Sequence, residues 1–159
     1  HQSLPVLNIT RQELDQDLIP FQKLIQSKNP KAIMTTHILY PQIDSENPVT
    51  TSEKFIRSIL RGDLGFRGVV VTDDLIMKGI SSKETVEQVA KKAFLAGHDL
   101  ILISGPSQAQ AQAHNSILKA VRSGEISQKY LHSSLKRIMK INSKIPRFQN
   151  SKQAKNKKF

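Results

Sequence analysis

Cysteine is absent from the sequence, which excludes disulfide scaffolds, thiol nucleophiles and thiolate-held metals and leaves the redox compartment open. Tryptophan is absent as well, and with only 2 Tyr and 6 Phe the core must rely on aliphatic packing. No apolar run approaches the ~20 residues needed to cross a bilayer. The opening, His1-Gln2-Ser3-Leu4-Pro5, is neither an initiator Met nor a signal peptide, so the chain reads as beginning inside a longer protein. Acidic residues are few, 13 against 24 Lys and Arg, and the resulting net charge of +11 raises the question of a polyanionic partner.

The location of the charge answers much of that question. Lys144, Arg147, Lys152, Lys155, Lys157 and Lys158 lie in a closing stretch without a single acid, leaving +5 for everything before it. Like-charge blocks poor in apolar residues do not bury enough surface to fold. The chain therefore divides into a body, 1–142, and a basic tail, 143–159, expected to be disordered. A weak phosphate-binding or anionic-surface role is the alternative for the tail. The body carries no signal for specific nucleic-acid binding.

What is present is an alternation of two periodicities. Leu14, Leu18, Phe21 and Ile25 recur at helical spacing behind Thr10 and Glu13, which are placed as a capping box. Pro20 should kink this helix or mark a fresh start. Lys31 to His37 reads as a strand, and an irregular loop from Tyr40 to Thr51 follows. Ser52 caps a helix carrying Phe55, Ile59 and Leu60 that stops before Gly62 and Gly65. Gly68 to Thr72 holds three successive valines, apolar on both faces, as in a parallel strand covered by helices. A helix with Val86, Val89, Ala90, Ala93 and Phe94 closes at Gly97, and Leu100 to Ile103 reads as a third strand. Two helices complete the body, one through Ala113, Ile117, Leu118 and Val121, the other from Ile126 to Ile141. This order predicts parallel βα units, in a barrel or an open doubly wound sheet. No Gly-x-Gly-x-x-Gly follows a strand, which argues against a dinucleotide fold.

In βα architectures the chemistry sits at the C-terminal ends of strands. Three sets of residues fall there: His37, the pair Asp73-Asp74, and Ser104. An Asp after a strand is ordinarily a turn residue or helix cap. Two adjacent carboxylates repel each other, however, so at least one of this pair calls for a partner or a task. For His37 the structural alternative is a ring bonded to backbone at the strand end. His98, His114 and His132 lie on or beside predicted helices and carry no assigned role. No His pair has metal-ligand spacing with a third partner, so no metal site is expected.

The stretch from Ile59 to Met77, with Arg67-Gly68-Val69-Val70-Val71-Thr72-Asp73 at its heart, resembles the active-site signature of glycoside hydrolase family 3. Met34-Thr35-Thr36-His37-Ile38-Leu39-Tyr40-Pro41-Gln42-Ile43-Asp44 and the opening His1 to Pro5 resemble segments of the NagZ-type β-N-acetylglucosaminidases in that family. The resemblance runs from His1 to about Asn142. It implies the C-terminal portion of a (β/α)8 TIM barrel, about three βα units plus a terminal helix, whose N-terminal half is missing from this chain. It also implies a retaining, exo-acting hydrolase that releases terminal β-linked N-acetylglucosamine without a cofactor. Asp73 takes the place of the nucleophile, with Asp74 a second choice. His1 takes the place of the acid/base, whose Asp partner in the family stands two residues earlier. His37 is assigned to the lining of the sugar site.

A retaining mechanism needs a carboxylate to attack the anomeric carbon and a group that gives and then takes a proton at the leaving oxygen. An ionised Asp suits the first task, and an imidazole, with an unperturbed pKa of about 6.5, suits the second. Rival expectations are a β-glucosidase of the same family, an inactive fragment that needs its missing half, and a polyanion-binding module that uses the tail.

Overall fold

The computed structural model describes residues 3–28, 30–81 and 84–142. His1 and the basic stretch 143–159 lie outside the described residues. Thr10 opens α1 (Arg11–Asp17) by the expected capping box: its hydroxyl accepts the Glu13 amide, and the Glu13 carboxylate accepts the Thr10 amide. Leu18 ends that helix and α2 (Ile19–Lys28) begins anew with Pro20 in its first turn, where a missing N–H costs nothing.

Strand β1 (Ala32–Met34) runs parallel to β2 (Val69–Val71), with Ala32 opposite Val69 and Met34 opposite Val71. Both strands are shorter than the apolar runs that contain them. Gly68 leads into β2 because the chains are too close for a side chain there. A Cβ at that position would lie 2.6 Å from the Lys31 carbonyl oxygen and 2.5 Å from the Phe66 ring. The predicted third strand at Leu100–Ile103 is reduced to a single parallel bridge, Val71 to Leu100. The cause is local: the Leu102 amide donates to the Thr72 hydroxyl at 3.0 Å instead of to a main-chain carbonyl, which interrupts the ladder. On the other side of β1, Val6 bridges Leu39 in parallel.

Between the strands, Lys54–Asp63 winds as a π-helix rather than the expected α-helix, and the Leu64 amide continues its pattern by donating to the Ile59 carbonyl. That wider turn keeps Phe55, Ile59 and Leu64 along one side. The Ser52 hydroxyl accepts the Phe55 amide at its start, as its sequence position suggested. After β2 come α3 (Lys78–Ser81), α4 (Val86–Ala96), α5 (Ser107–Arg122) and α6 (Gln128–Asn142). A second capping box, Thr85 with Gln88, starts α4; its Thr-x-x-Gln spacing is visible in the sequence but was not among the expected signals.

The helices cover one face of the sheet. Val70 joins Phe55, Ile56, Ile59 and Phe66 in the largest buried cluster, while Leu75, Val89, Ala90 and Ala113 form a second. On the opposite face, Met34, Leu100 and Leu102 stand exposed, as do Phe21, Leu135 and Met139 on helices expected to bury them.

The last helix is tied to the sheet by charge. Asp99, its side chain fully buried, accepts from both Nε and Nη2 of Arg137 on α6, from Nη2 of Arg61 at 2.8 Å, and from the Val70 amide at 3.0 Å. Burial opposes its charge, but the Arg137 and Val70 hydrogen bonds outweigh that and hold Asp99 below the usual carboxylate range.

Candidate active site

Thr72 sets the direction in which the chain leaves β2. It is wholly buried, its amide donates to the Leu100 carbonyl at 3.1 Å, and its hydroxyl accepts from Leu102. The next residue, Asp73, therefore emerges at the C-terminal end of the strand. Asp73 helps to line a pocket of ≈150 Å³ together with Ser3, Pro5, Thr36, His37, Ile38, Met77 and Gly79. One Asp73 oxygen, Oδ1, accepts the Asp74 amide at 2.8 Å.

The adjacent carboxylate is fully occupied elsewhere. Asp74 Oδ1 accepts the amides of Ser104 at 3.0 Å and Ile76 at 3.3 Å, and Oδ2 accepts the Ser104 hydroxyl. Partial burial works against the Asp74 charge, but these hydrogen bonds prevail and keep its pKa below the ordinary value. The Asp74 charge is thus stabilised by its own donors and given a structural task. Asp74 pins the Leu100–Ile103 segment to the β2 turn, and Asp73 is left to the pocket.

His37 is buried in the pocket wall at the end of the β1 segment. Its Nε2 lies 2.9 Å from the Asp74 carbonyl and must carry the hydrogen, since a carbonyl only accepts. Its Nδ1 lies 2.6 Å from Oγ1 of Thr50, a hydroxyl also 3.2 Å from the Thr36 carbonyl. Both ring nitrogens are therefore already partnered within the chain. Thr50, which sequence reasoning passed over, is held in a short 3-10 turn, Val49–Thr51. The loop before that turn is organised by Asp44. Its Oδ2 accepts the Ser52 hydroxyl at 2.6 Å, and its Oδ1 accepts the Asn47 amide at 3.0 Å. An Asp followed within three residues by Ser and Asn is the local signal that could have revealed this turn.

The segment 3–7 lies beside the same strand ends. Leu39 donates to the Pro5 carbonyl, Leu7 donates to the Leu39 carbonyl, and Gly79 of α3 comes so near that a Cβ there would be 3.1 Å from the Ser3 oxygen. His1 lies outside the described residues. Ser3, two positions after it, borders the Asp73 pocket. Among the described residues no group of three His, Cys, Asp or Glu side chains could hold a metal ion, and no helix is long and apolar enough to cross a membrane.

Asp73 thus stands at a strand end and borders a small pocket beside a second strand and an approaching loop. Residues 1–141 match the model of the Glycosyl hydrolase family 3 N terminal domain, and the chain belongs to that family. Its parallel strands and helices are accordingly part of a TIM-barrel-type fold. It resembles Beta-hexosaminidase A of Pseudoalteromonas piscicida, with 32% identity over 92% of this chain and 27% of that protein. Similarity to the Beta-hexosaminidase of Haemophilus influenzae is 39% over 65% of this chain and 29% of the relative. Among solved structures, the glycoside hydrolase family 3 beta-N-acetylglucosaminidase from Paenibacillus sp. str. FPU-7 superposes with a TM-score of 0.86 at 39% identity, covering 90% of this chain and 27% of that one. The beta-N-acetylglucosaminidase from Thermotoga maritima gives 0.83 at 29%, over 90% of this chain and 32% of that one. The chain spans between a quarter and a third of the length of these relatives.

Proposed function

We propose that this chain supplies the nucleophile side of a retaining, exo-acting β-N-acetylglucosaminidase acting on N-acetylglucosamine-containing glycans of the muropeptide type. The observation that carries the reading is the division of labour between the paired acids: Asp74 is consumed by Ser104 and Ile76, whereas Asp73 borders the pocket. In the reaction, Asp73 attacks the anomeric carbon and the glycosidic oxygen leaves with a proton. His1 is the donor in this scheme. Ser3, two positions after it in the sequence, lines the same pocket. Water then attacks the glycosyl-enzyme bond while the imidazole takes its proton, restoring both groups. His37 borders the pocket from the end of the β1 segment, with both ring nitrogens held within the chain.

The uncovered sheet face supports a further part of the reading. Met34, Leu100 and Leu102 point apolar side chains away from the helices, and Val6 is likewise exposed beside them. A parallel sheet is ordinarily covered on both faces, so full activity requires additional βα units to close over this surface.

The test is hydrolysis of a chromogenic N-acetylglucosaminide and the matching glucoside, by this chain alone and by the longest polypeptide encoded in the same reading frame. The expected result is turnover of the N-acetylglucosaminide by the longer polypeptide, reduced roughly a thousandfold or more in Asp73→Ala. Turnover unchanged in Asp73→Ala removes the nucleophile assignment, and preference for the glucoside moves the chain to the β-glucosidase branch.

A further inference from the structure

We propose that His37 is a positioning residue for Asp73, acting through the main chain of Asp74; the inference rests on the glycosidase reading above. Asp74, the residue whose amide holds the attacking carboxylate, is itself held at two points. On the side-chain side, the Asp74 carboxylate is fixed by Ser104 and Ile76. On the main-chain side, the Asp74 carbonyl accepts Nε2–H of His37 at 2.9 Å. The Asp74 amide in turn donates to Asp73 Oδ1 at 2.8 Å, so a rotation of the Asp74 backbone would move the nucleophile's own hydrogen-bond donor.

The ring itself cannot swing away. It is 4% exposed, and Nδ1 is anchored 2.6 Å from Oγ1 of Thr50. Two proton arrangements satisfy this geometry. In one, the neutral ring accepts the Thr50 hydroxyl proton at Nδ1. In the other, an imidazolium donates Nδ1–H to Thr50, whose own proton then goes to the Thr36 carbonyl 3.2 Å away. In both, Nε2–H stays on the Asp74 carbonyl, so the clamp does not depend on the protonation state. The chain Thr36–Thr50–His37–Asp74–Asp73 connects the loop after β1 to the nucleophile after β2 without using a sugar contact.

Two substitutions separate the roles of the two ring nitrogens. His37→Gln carries an amide out to the position of Nε2 and preserves a donor to Asp74. His37→Asn reaches only the position of Nδ1, keeping the Thr50 contact and a buried polar group while losing the clamp. In the polypeptide assayed above, His37→Asn is expected to lower kcat by roughly ten- to a hundredfold with KM within about twofold, because misplacing a reacting group acts on the chemical step. His37→Gln is expected to remain within about threefold of the unchanged protein. Amide hydrogen exchange over 73–76 should quicken in His37→Asn and not in His37→Gln. A loss confined to KM would make His37 a sugar contact and overturn the proposal, as would equal kcat losses in both variants or a fully active His37→Asn. If the unchanged polypeptide hydrolyses neither glycoside, the glycosidase reading falls. Unaltered exchange over 73–76 in His37→Asn overturns the clamp whether or not there is turnover.

Discussion

His98 should make this fold lose stability in mild acid, well above the pH at which its carboxylates protonate. The ring is wholly buried at the end of α4. Nδ1–H donates to the Ala93 carbonyl at 3.0 Å, and Nε2, which then lacks a hydrogen, accepts the Thr35 hydroxyl at 2.9 Å. That arrangement fits a neutral imidazole. Burial, followed at some distance by the Arg61 charge, pushes the His98 pKa down from 6.5 to about 4. Because the folded value is depressed, the unfolded chain binds the proton more readily, and stability rises with pH through this window. The contribution is fully present above about 6.5 and is lost as pH falls from there toward 4. With those two values, linkage gives a loss of about 2 kcal/mol between pH 7 and pH 5, and roughly 3 kcal/mol once the folded ring also protonates. Urea unfolding followed by circular dichroism at pH 7, 6 and 5 measures it. His98→Gln, which retains polar atoms but does not titrate, should flatten the dependence by that amount even if its stability at pH 7 is lower. Equal slopes in both proteins between pH 7 and 5 would refute the reasoning.

Four other outcomes follow from the geometry. Asp99→Ala removes the carboxylate from two largely buried guanidinium groups, Arg137 and Arg61 (the latter still bonded to the Gly68 and Gly97 carbonyls), and orphans the Val70 amide, so it should cost about 3–5 kcal/mol, read from the denaturation midpoint. Since the Asp99 pKa is depressed, the stability it contributes is present above the ordinary Asp value of about 4 and is lost as pH falls through its lower folded value, an acid limb that Asp99→Asn should remove. Gly68→Ala forces a methyl against the Lys31 carbonyl and the Phe66 ring and should destabilise by about 1–3 kcal/mol, whereas Gly62→Ala, whose Cβ would lie 3.4 Å from the Arg57 oxygen, should be tolerated; equal midpoints for the two would contradict the packing at β2. Asp73→Ala should leave the unfolding midpoint within about 0.5 kcal/mol of the unchanged chain, because among the described residues its removal breaks only the hydrogen bond from Asp74, while abolishing turnover where turnover is measured.

Local chemistry alone was enough to determine several features. The Thr10–Glu13 box, the restart at Pro20, the three valines of β2 and the apolar face of α4 depend on spacing within a few residues, and each formed where that spacing put it. The strand-end position of Asp73 and the family signature around it were legible for the same reason. Where a residue's fate depended on a distant partner, the sequence was silent or misleading. Apart from the Ile76 amide two residues on, nothing near Asp74 in the chain marks it as the occupied acid; Ser104 is 30 positions away and meets it only when the two strand ends are brought side by side. The Leu100–Ile103 run reads as a strand by composition, yet the Thr72 hydroxyl takes the amide that a full ladder would need. Phe21, Leu135 and Met139 obey helical periodicity but remain exposed, because periodicity says which residues share a face and not whether anything packs against it. Asp99 carries no local motif at all. The sequence by itself determined which short segments form and which carboxylates stand at their ends. Only the tertiary structure decided which of those carboxylates is bound and which faces the pocket, because burial and hydrogen-bond partners are assigned by contacts between segments far apart in the chain.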